Sequence, residues 1–186
     1  NDDPIQRNAG GSFHSLAGIL EGQHTGKADV PAHIHQLTGH LGRAGIAMEH
    51  PLYLGKFLDN GHTVIMGRKT LESLPNGPLP NRRNIVITHH PETLPEGCVS
   101  AISLDDAIAK GAEDDEIFVI GGGQIYSQAI EKAEMLYLTR IHSTFPDADT
   151  FFPEYNASDY EEEFCARHEP SEKCKYAFSF VNLMRI

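Results

Sequence analysis

Short apolar runs and helically spaced apolar positions alternate along the second two thirds of the chain, and their order predicts the fold. The sharpest run is Ile117-Phe118-Val119-Ile120, bounded by an acidic cluster and by Gly121-Gly122-Gly123. A β-rich run without polar alternation predicts a strand covered on both faces, as in a largely parallel sheet. Beyond the glycines, Ile125, Ala129, Ile130 and Ala133 recur at helical spacing, which predicts a helix over Gln124 to Lys132. Thr63 to Met66 is a second such strand, which Gly67 turns into a short helix from Arg68 to about Leu74. Asn84 to Thr88 and Cys98 to Ile102 read as further strands. Ser103 caps a helix through Lys110, with Asp105 and Asp106 in its first turn and Gly111 ending it. Leu136 to Ile141 is another β-rich strand. Tyr160 to Arg167 and Tyr176 to Met184 alternate apolar and polar residues, predicting a C-terminal antiparallel hairpin. The expected class is α/β: a mixed, mostly parallel central sheet flanked by helices, with an antiparallel edge.

Residues 1–61 have a different character. Their two apolar runs, Leu16 to Leu20 and Ala44 to Met48, share no period, and they hold six of the eleven histidines. Asn1 to Gly11 is polar and expected to be loose. Pro51 to Asp59 reads as one short helix carrying Leu52, Tyr53 and Phe57 inward, weakened by Gly55. His33, His35, His40 and His50 have no acidic or cysteine partner at ligand spacing, so no metal site is expected.

At 186 residues the chain is long enough for one domain with a sizeable core. A formal charge of -11 without a basic run argues against nucleic acid as a partner. A phosphorylated small molecule stays open, because it needs only one or two placed arginines. Cys98, Cys165 and Cys174 are too few and too scattered for a disulfide framework or a paired zinc site. No apolar segment approaches the roughly 18 to 20 residues of a membrane span, and no basic-then-apolar leader opens the chain. The expectation is a soluble, cytoplasmic protein without membrane partners.

Three places carry candidate chemistry. The glycine triplet reads either as a phosphate cradle at a positive helix start or as a tight turn letting strand and helix pack closely. It is not the dinucleotide fingerprint, because Tyr126 stands where the third glycine is required. Arg68 and Lys69, with Thr70, open the second helix, where the macrodipole favours anions over cations; a ligand phosphate between them resolves the conflict, and solvated helix-end charges are the plain alternative. Arg82 is either a bidentate carboxylate clamp or a surface charge.

His62 to Thr70 (His-Thr-Val-Ile-Met-Gly-Arg-Lys-Thr), Pro78 to Thr88 (Pro-Leu-Pro-Asn-Arg-Arg-Asn-Ile-Val-Ile-Thr), Ile120 to Tyr126, Leu136 to Thr139 and Asp149 to Pro153 together resemble dihydrofolate reductase, in that family's order and near its spacing. The resemblance covers residues 62–186. It implies a single domain over 1–186, a dihydrofolate-reductase-like fold, NADPH as cofactor, dihydrofolate as substrate, and antifolate-type small molecules as ligands. It implies that Gly67, Arg68, Lys69 and Thr70 hold the cofactor phosphates, Arg68 favouring the 2′-phosphate, and that Thr88 and His89 face the adenosine. The family usually has serine or arginine where His89 stands. Gly121, Gly122, Gly123, Gln124, Ile125 and Tyr126 would wrap the pyrophosphate and nicotinamide side, with the Gly121–Gly122 peptide cis. Ser73, Leu74, Leu79 and Ile120 match positions lining the substrate, Arg82 the arginine that clamps its glutamate carboxylate, and Thr139 the threonine that orients the catalytic acid. Asp149 matches a loop aspartate that steadies the lid, and Ala148 stands where some members have glycine.

The family's first third is where the chain departs. There is no Leu-Pro-Trp lid segment, and no acid stands four residues before a helical phenylalanine, since that position before Phe57 is Tyr53. Glu49, four before Tyr53, is the spacing candidate for the catalytic carboxylate, with Asp59 and Asp29 behind it. No convincing first strand stands out. Ser15 to Leu20 could supply the missing central strand, at the cost of a long lid loop. The expected protein is an ordinary monomeric reductase whose first 61 residues are divergent, foreign or rearranged, or not in their true order, a faithful divergent N-terminus being the less favoured of these. A related pyrimidinone reductase and a non-catalytic NADPH-binding module are the alternatives.

Overall fold

A computed structural model describes residues 15–21, 28–30, 61–74, 76–143, 150–171 and 176–186. Among the described residues, ten strands and three α-helices run in the order β1 (Ser15–Glu21), β2 (Ala28–Val30), β3 (Thr63–Gly67), α1 (Arg68–Ser73), β4 (Asn84–Ile87), β5 (Cys98–Ala101), α2 (Leu104–Gly111), β6 (Ile117–Val119), α3 (Gly123–Ala129), β7 (Met135–Ile141), β8 (Thr150–Phe152), β9 (Tyr160–His168) and β10 (Phe178–Arg185). Eight strands form one sheet in the order β5-β4-β3-β6-β1-β7-β10-β9, and β2 pairs with β8 in a second. All neighbours from β5 through β7 are parallel. β10 is antiparallel to both β7 and β9. The expected mostly parallel sheet with an antiparallel C-terminal hairpin is the observed architecture.

Successive residues of the parallel strands feed two apolar layers. Ile65, Ile85, Ile117, Val119, Leu136 and Leu138 pack with α2 and α3 on one face. Val64, Met66, Val86 and Phe118 turn to the other, joined by Leu71 of α1 and by Leu74, Leu79, Ile120 and Tyr137. Burial of every residue of β6 explains its unbroken apolar run. Each such side chain contributes about 1.5–3 kcal/mol of hydrophobic stabilisation.

β1 lies at the centre of the sheet, parallel to β6 and β7, with Ser15 opposite both Phe118 and Met135. The apolar run with no clear pattern is therefore the missing central strand, extended by one residue to Glu21. Asp29 lies in β2, opposite Phe151 of β8. The predicted helix over 51–59, the run 44–48, Glu49, Asp59, His33, His35, His40, His50, Ala148, Asp149 and Cys174 lie outside the described residues.

α2 departs from its expected ending. Ser103 caps it as expected, its Oγ accepting from the Asp106 N–H at 3.1 Å. Gly111, however, is its last helical residue rather than a left-handed cap, and Ala112 follows in right-handed geometry. A Cβ on Gly111 would stand 3.1 Å from both Ile117 Cδ1 and Thr63 Cγ2, so the glycine is there for close packing against β6 and β3. α3 stops at Ala129 rather than Lys132, and its apolar stripe continues through a turn. On the outer strand β9, Glu161, Glu162 and Glu163 are exposed, charges that discourage edge-to-edge pairing. No helix among the described residues is long and apolar enough to cross a membrane.

Candidate active site

Because β3 to β6 run parallel, their carboxyl ends share one edge, and the chain leaves each of them into a candidate segment. β3 ends at Gly67, whose N–H donates to Gly121 O at 2.8 Å, and the Ile120 N–H donates to Ile65 O at 2.9 Å. These bonds bring the two glycine turns together. A Cβ on Gly67 would lie 3.5 Å from Ile125 Cγ1, 3.8 Å from Gly121 O and 4.0 Å from Gly122 N; one on Gly122 would lie 3.5 Å from Thr70 Oγ1. The result is a cradle of glycine backbone with the side chains of Ile125 and Thr70 packed against it. Gly121 has φ +112° and the Gly121–Gly122 peptide is cis. At the start of α3, the Ile125 and Tyr126 N–H groups both donate to Gly122 O, at 2.8 and 3.0 Å.

Arg68 and Lys69 are exposed at the mouth of this cradle, while Thr70 is buried. Arg68 is ion-paired with Glu72 one turn on. An exposed pair of this kind contributes little to stability, so Arg68 remains available to an anion. The register of β3 and β4 sets Gly67 beside Ile87, so Arg68 and Thr88 leave the sheet side by side. Thr88 is buried, its N–H donating to Ala101 O and its Oγ1 accepting from the His90 N–H at 3.0 Å, whereas His89 is exposed. Gln124 is exposed on α3, and Gly123 is half-buried at its start.

Three of the residues expected on the substrate side gather on one face. Leu74, Leu79 and Ile120 belong to the same apolar layer as Phe118 and Tyr137. Thr139 lies two residues beyond Tyr137 on β7 and so on the same face, opposite Ile19 and Phe180. Ser73 Oγ donates to Thr70 O at 2.7 Å. Tyr126 is different: it joins the opposite layer, its ring 5.1 Å from that of Phe152, and burial raises its phenol above the ordinary range, keeping it protonated.

Arg82 is not at the glycine edge. It precedes β4, at the amino end of that strand, with Nε donating to Pro80 O at 3.2 Å. The loop that carries it is fastened by Asn84, a residue that sequence reasoning passed over. Asn84 Nδ2 donates to Leu79 O (2.8 Å) and Arg82 O (3.1 Å), and its Oδ1 accepts from the Leu79 N–H (3.0 Å). A single buried polar residue opening an apolar strand was the available signal. Asn81, at φ +58°, makes the turn before it.

A cavity of about 640 Å³ opens at the amino edge of the sheet, lined by Asp115, Glu116, Glu134 and Met135 among others. Its carboxylates oppose a phosphorylated ligand, which leaves the glycine edge as the better candidate. Among the described residues no group of His, Cys, Asp or Glu could hold a metal ion.

The family model for dihydrofolate reductase matches residues 38–185. The chain belongs to the dihydrofolate reductase family. Dihydrofolate reductase type 3 of Salmonella typhimurium is 42% identical over 125 residues, covering 67% of this chain and 76% of that protein. Dihydrofolate reductase of Bacillus subtilis (strain 168) is 40% identical over 126 residues, covering 68% and 74%. A solved dihydrofolate reductase from Enterococcus faecalis, complexed with NADP(H) and RAB-propyl, superposes with a TM-score of 0.66 at 28% identity, over 93% of this chain and 98% of that one. The match starts earlier than the motifs from His62 onward, so the dihydrofolate reductase pattern reaches into the atypical N-terminal third. The matched range includes Glu49 and Asp59 and leaves out Asp29.

Proposed function

We propose that this chain reduces 7,8-dihydrofolate to 5,6,7,8-tetrahydrofolate with NADPH, working as a monomeric single domain in the cytoplasm and without nucleic-acid or membrane partners. The observation that carries the reading is the convergence of Gly67, Gly121 and Gly122 into one cradle of glycine backbone beside Arg68 and Lys69. Backbone without Cβ admits close approach of a pyrophosphate, and two exposed cations balance its charge. Gly67, Thr70 and Gly121 to Tyr126 would hold the phosphates and the nicotinamide side, Thr88 and His89 the adenosine, and Arg68 the 2′-phosphate. Bound NADPH supplies the hydride, delivered to pterin C6 as N5 is protonated.

The protein's part is positioning and electrostatics. Ser73, Leu74, Leu79 and Ile120 would line the substrate, and Arg82 would take its α-carboxylate in a forked, charge-assisted pair. A carboxylate, assigned by spacing to Glu49, would bind the pterin amino group and N3 and raise the ring's basicity, with Thr139 orienting that acid. Antifolate-type molecules would compete for the same face.

The test is steady-state oxidation of NADPH and of NADH with dihydrofolate by the parent chain and by Arg68→Ala. Turnover with a strong NADPH preference, reduced at least about tenfold in R68A through KM for NADPH, is the expected result. NADPH binding without turnover would favour a non-catalytic nucleotide-binding module, and absence of binding would overturn the phosphate-site reading.

A further inference from the structure

The last strand ends in a side chain that reaches across to the helix behind the glycine bend. Arg185 Nη2 donates to Ile130 O at 2.8 Å and to the Tyr160 hydroxyl at 2.6 Å, and its Nε donates to Ala133 O at 3.0 Å. The Tyr160 hydroxyl in turn donates to Ile130 O at 3.2 Å. The guanidinium also sits 4.8 Å from the centre of the Tyr160 ring, and the Arg185 N–H donates to Glu134 O at 2.8 Å.

Ile130 and Ala133 form the turn that leaves α3, their N–H groups donating back to Tyr126 O (2.8 Å) and Ala129 O (3.0 Å). Carbonyls at a helix C-terminus lack intrahelical donors and carry partial negative charge, so a planar cation with several donors is their complement. With seven residues α3 spans only about 10 Å and has no stability of its own in water. Its orientation is set by the packing of Ile125 and Ala129 in the core and by whatever holds its two ends. One end is the turn on Gly122 O; the other is Arg185.

We propose that Arg185 is a positioning residue for the glycine bend. It touches no part of the candidate site. Through Ile130 O and Ala133 O it fixes the far end of α3, and so holds Gly121 to Gly123 against Gly67. The hydroxyl of Tyr160 orients the guanidinium and shares the Ile130 carbonyl. The consequence for cofactor affinity rests on the reductase reading above, whereas the mechanical link does not.

Arg185→Ala, Arg185→Lys and Tyr160→Phe test the link in two ways. In ligand-free protein, amide hydrogen exchange at Ile125 and Tyr126 is expected to rise at least about tenfold in R185A relative to that at Ile85 and Val86 of β4. Y160F, which keeps the ring and its packing, should give a smaller rise in the same amides. In steady-state assays KM for NADPH should rise about five- to tenfold while kcat and KM for dihydrofolate stay within about twofold, with R185K recovering part of the loss. Exchange at Ile125 and Tyr126 that rises no more than at β4, or cofactor KM values equal to the parent's, would overturn the proposal. If R185A fails to fold, R185K and Y160F decide it by the same readouts. A parent chain that does not bind NADPH would refute the reductase reading instead, and the exchange experiment would still judge Arg185.

Discussion

Replacing Gly121 with alanine loads two costs onto one residue. Its φ of +112° lies outside the left-handed well that asparagine or aspartate tolerates, so any L side chain there is strained by about 1–3 kcal/mol. The new Cβ would also stand 3.2 Å from Cε2, Cζ and the hydroxyl oxygen of Tyr126, closer than ordinary contact. That ring has little room to retreat, because Phe152, itself buried, lies against it. Adding the overpacking term gives a destabilisation of about 2–4 kcal/mol. For a domain of this size each kcal/mol lowers Tm by about 2–4 °C, so G121A should melt about 5–15 °C below the parent in a thermal scan. G67A is the internal control: its Cβ would meet neighbours no nearer than 3.5 Å, at ordinary contact distance. Its Tm should therefore stay within about 2 °C of the parent's. A G121A protein that melts within about 1 °C of the parent would refute the argument from φ and from the Tyr126 contact together.

Arg82→Ala should raise KM for dihydrofolate by about thirtyfold or more while leaving KM for NADPH unchanged, since a lost charge-assisted pair is worth about 2 kcal/mol or more. Asn84→Ala, which frees the loop carrying that arginine, should combine a similar direction in substrate KM with a stability loss of about 2–3 kcal/mol in urea unfolding, because the buried groups it serves lose their partner. Gly111→Ala should destabilise by about 1 kcal/mol, the better helix propensity of alanine being outweighed by contacts at 3.1 Å; a more stable variant would contradict the packing account. The hydrogen bond from Lys110, followed by that from the Ile102 N–H, holds the Asp106 carboxyl below its ordinary value. A lowered pKa contributes stability that is present above the unfolded value and lost as pH falls through the folded one. Acid unfolding below about pH 4 should therefore be less steep in Asp106→Asn than in the parent.

The parallel half of the fold was readable because strands buried on both faces must be apolar throughout, and because glycines mark where each hands over to a helix. The terminal hairpin was readable from alternation. β1 and β2 were not. Ser15–Glu21 contains Ala17 and Gly18, poor strand formers, and its extended state is imposed by pairing with β6 and β7 on either side. Ala28–Val30 is a strand only because β8 lies opposite. Gly111 looked like a helix stop because sequence cannot distinguish a glycine needed for positive φ from one needed for space. At the candidate site, the glycine cradle and its two cations were legible from residue type and position. The fastening of the Arg82 loop by Asn84 and the grip of Arg185 on α3 were not, because both join groups that no local pattern relates.

The central place of β1 has a further effect, on how the chain is made. Its first residue lies opposite Phe118 and Met135, partners more than a hundred residues away. During synthesis the neighbours β3, β4 and β5 follow one another closely enough to pair soon after they emerge. β1 is made first and must wait for β6 and β7. At ribosomal rates of about 5–20 residues per second that delay lasts several seconds, with both its edges open. Such high contact order places the reductase among slow folders, and a polypeptide cut short before residue 117 would lack both partners of its middle strand.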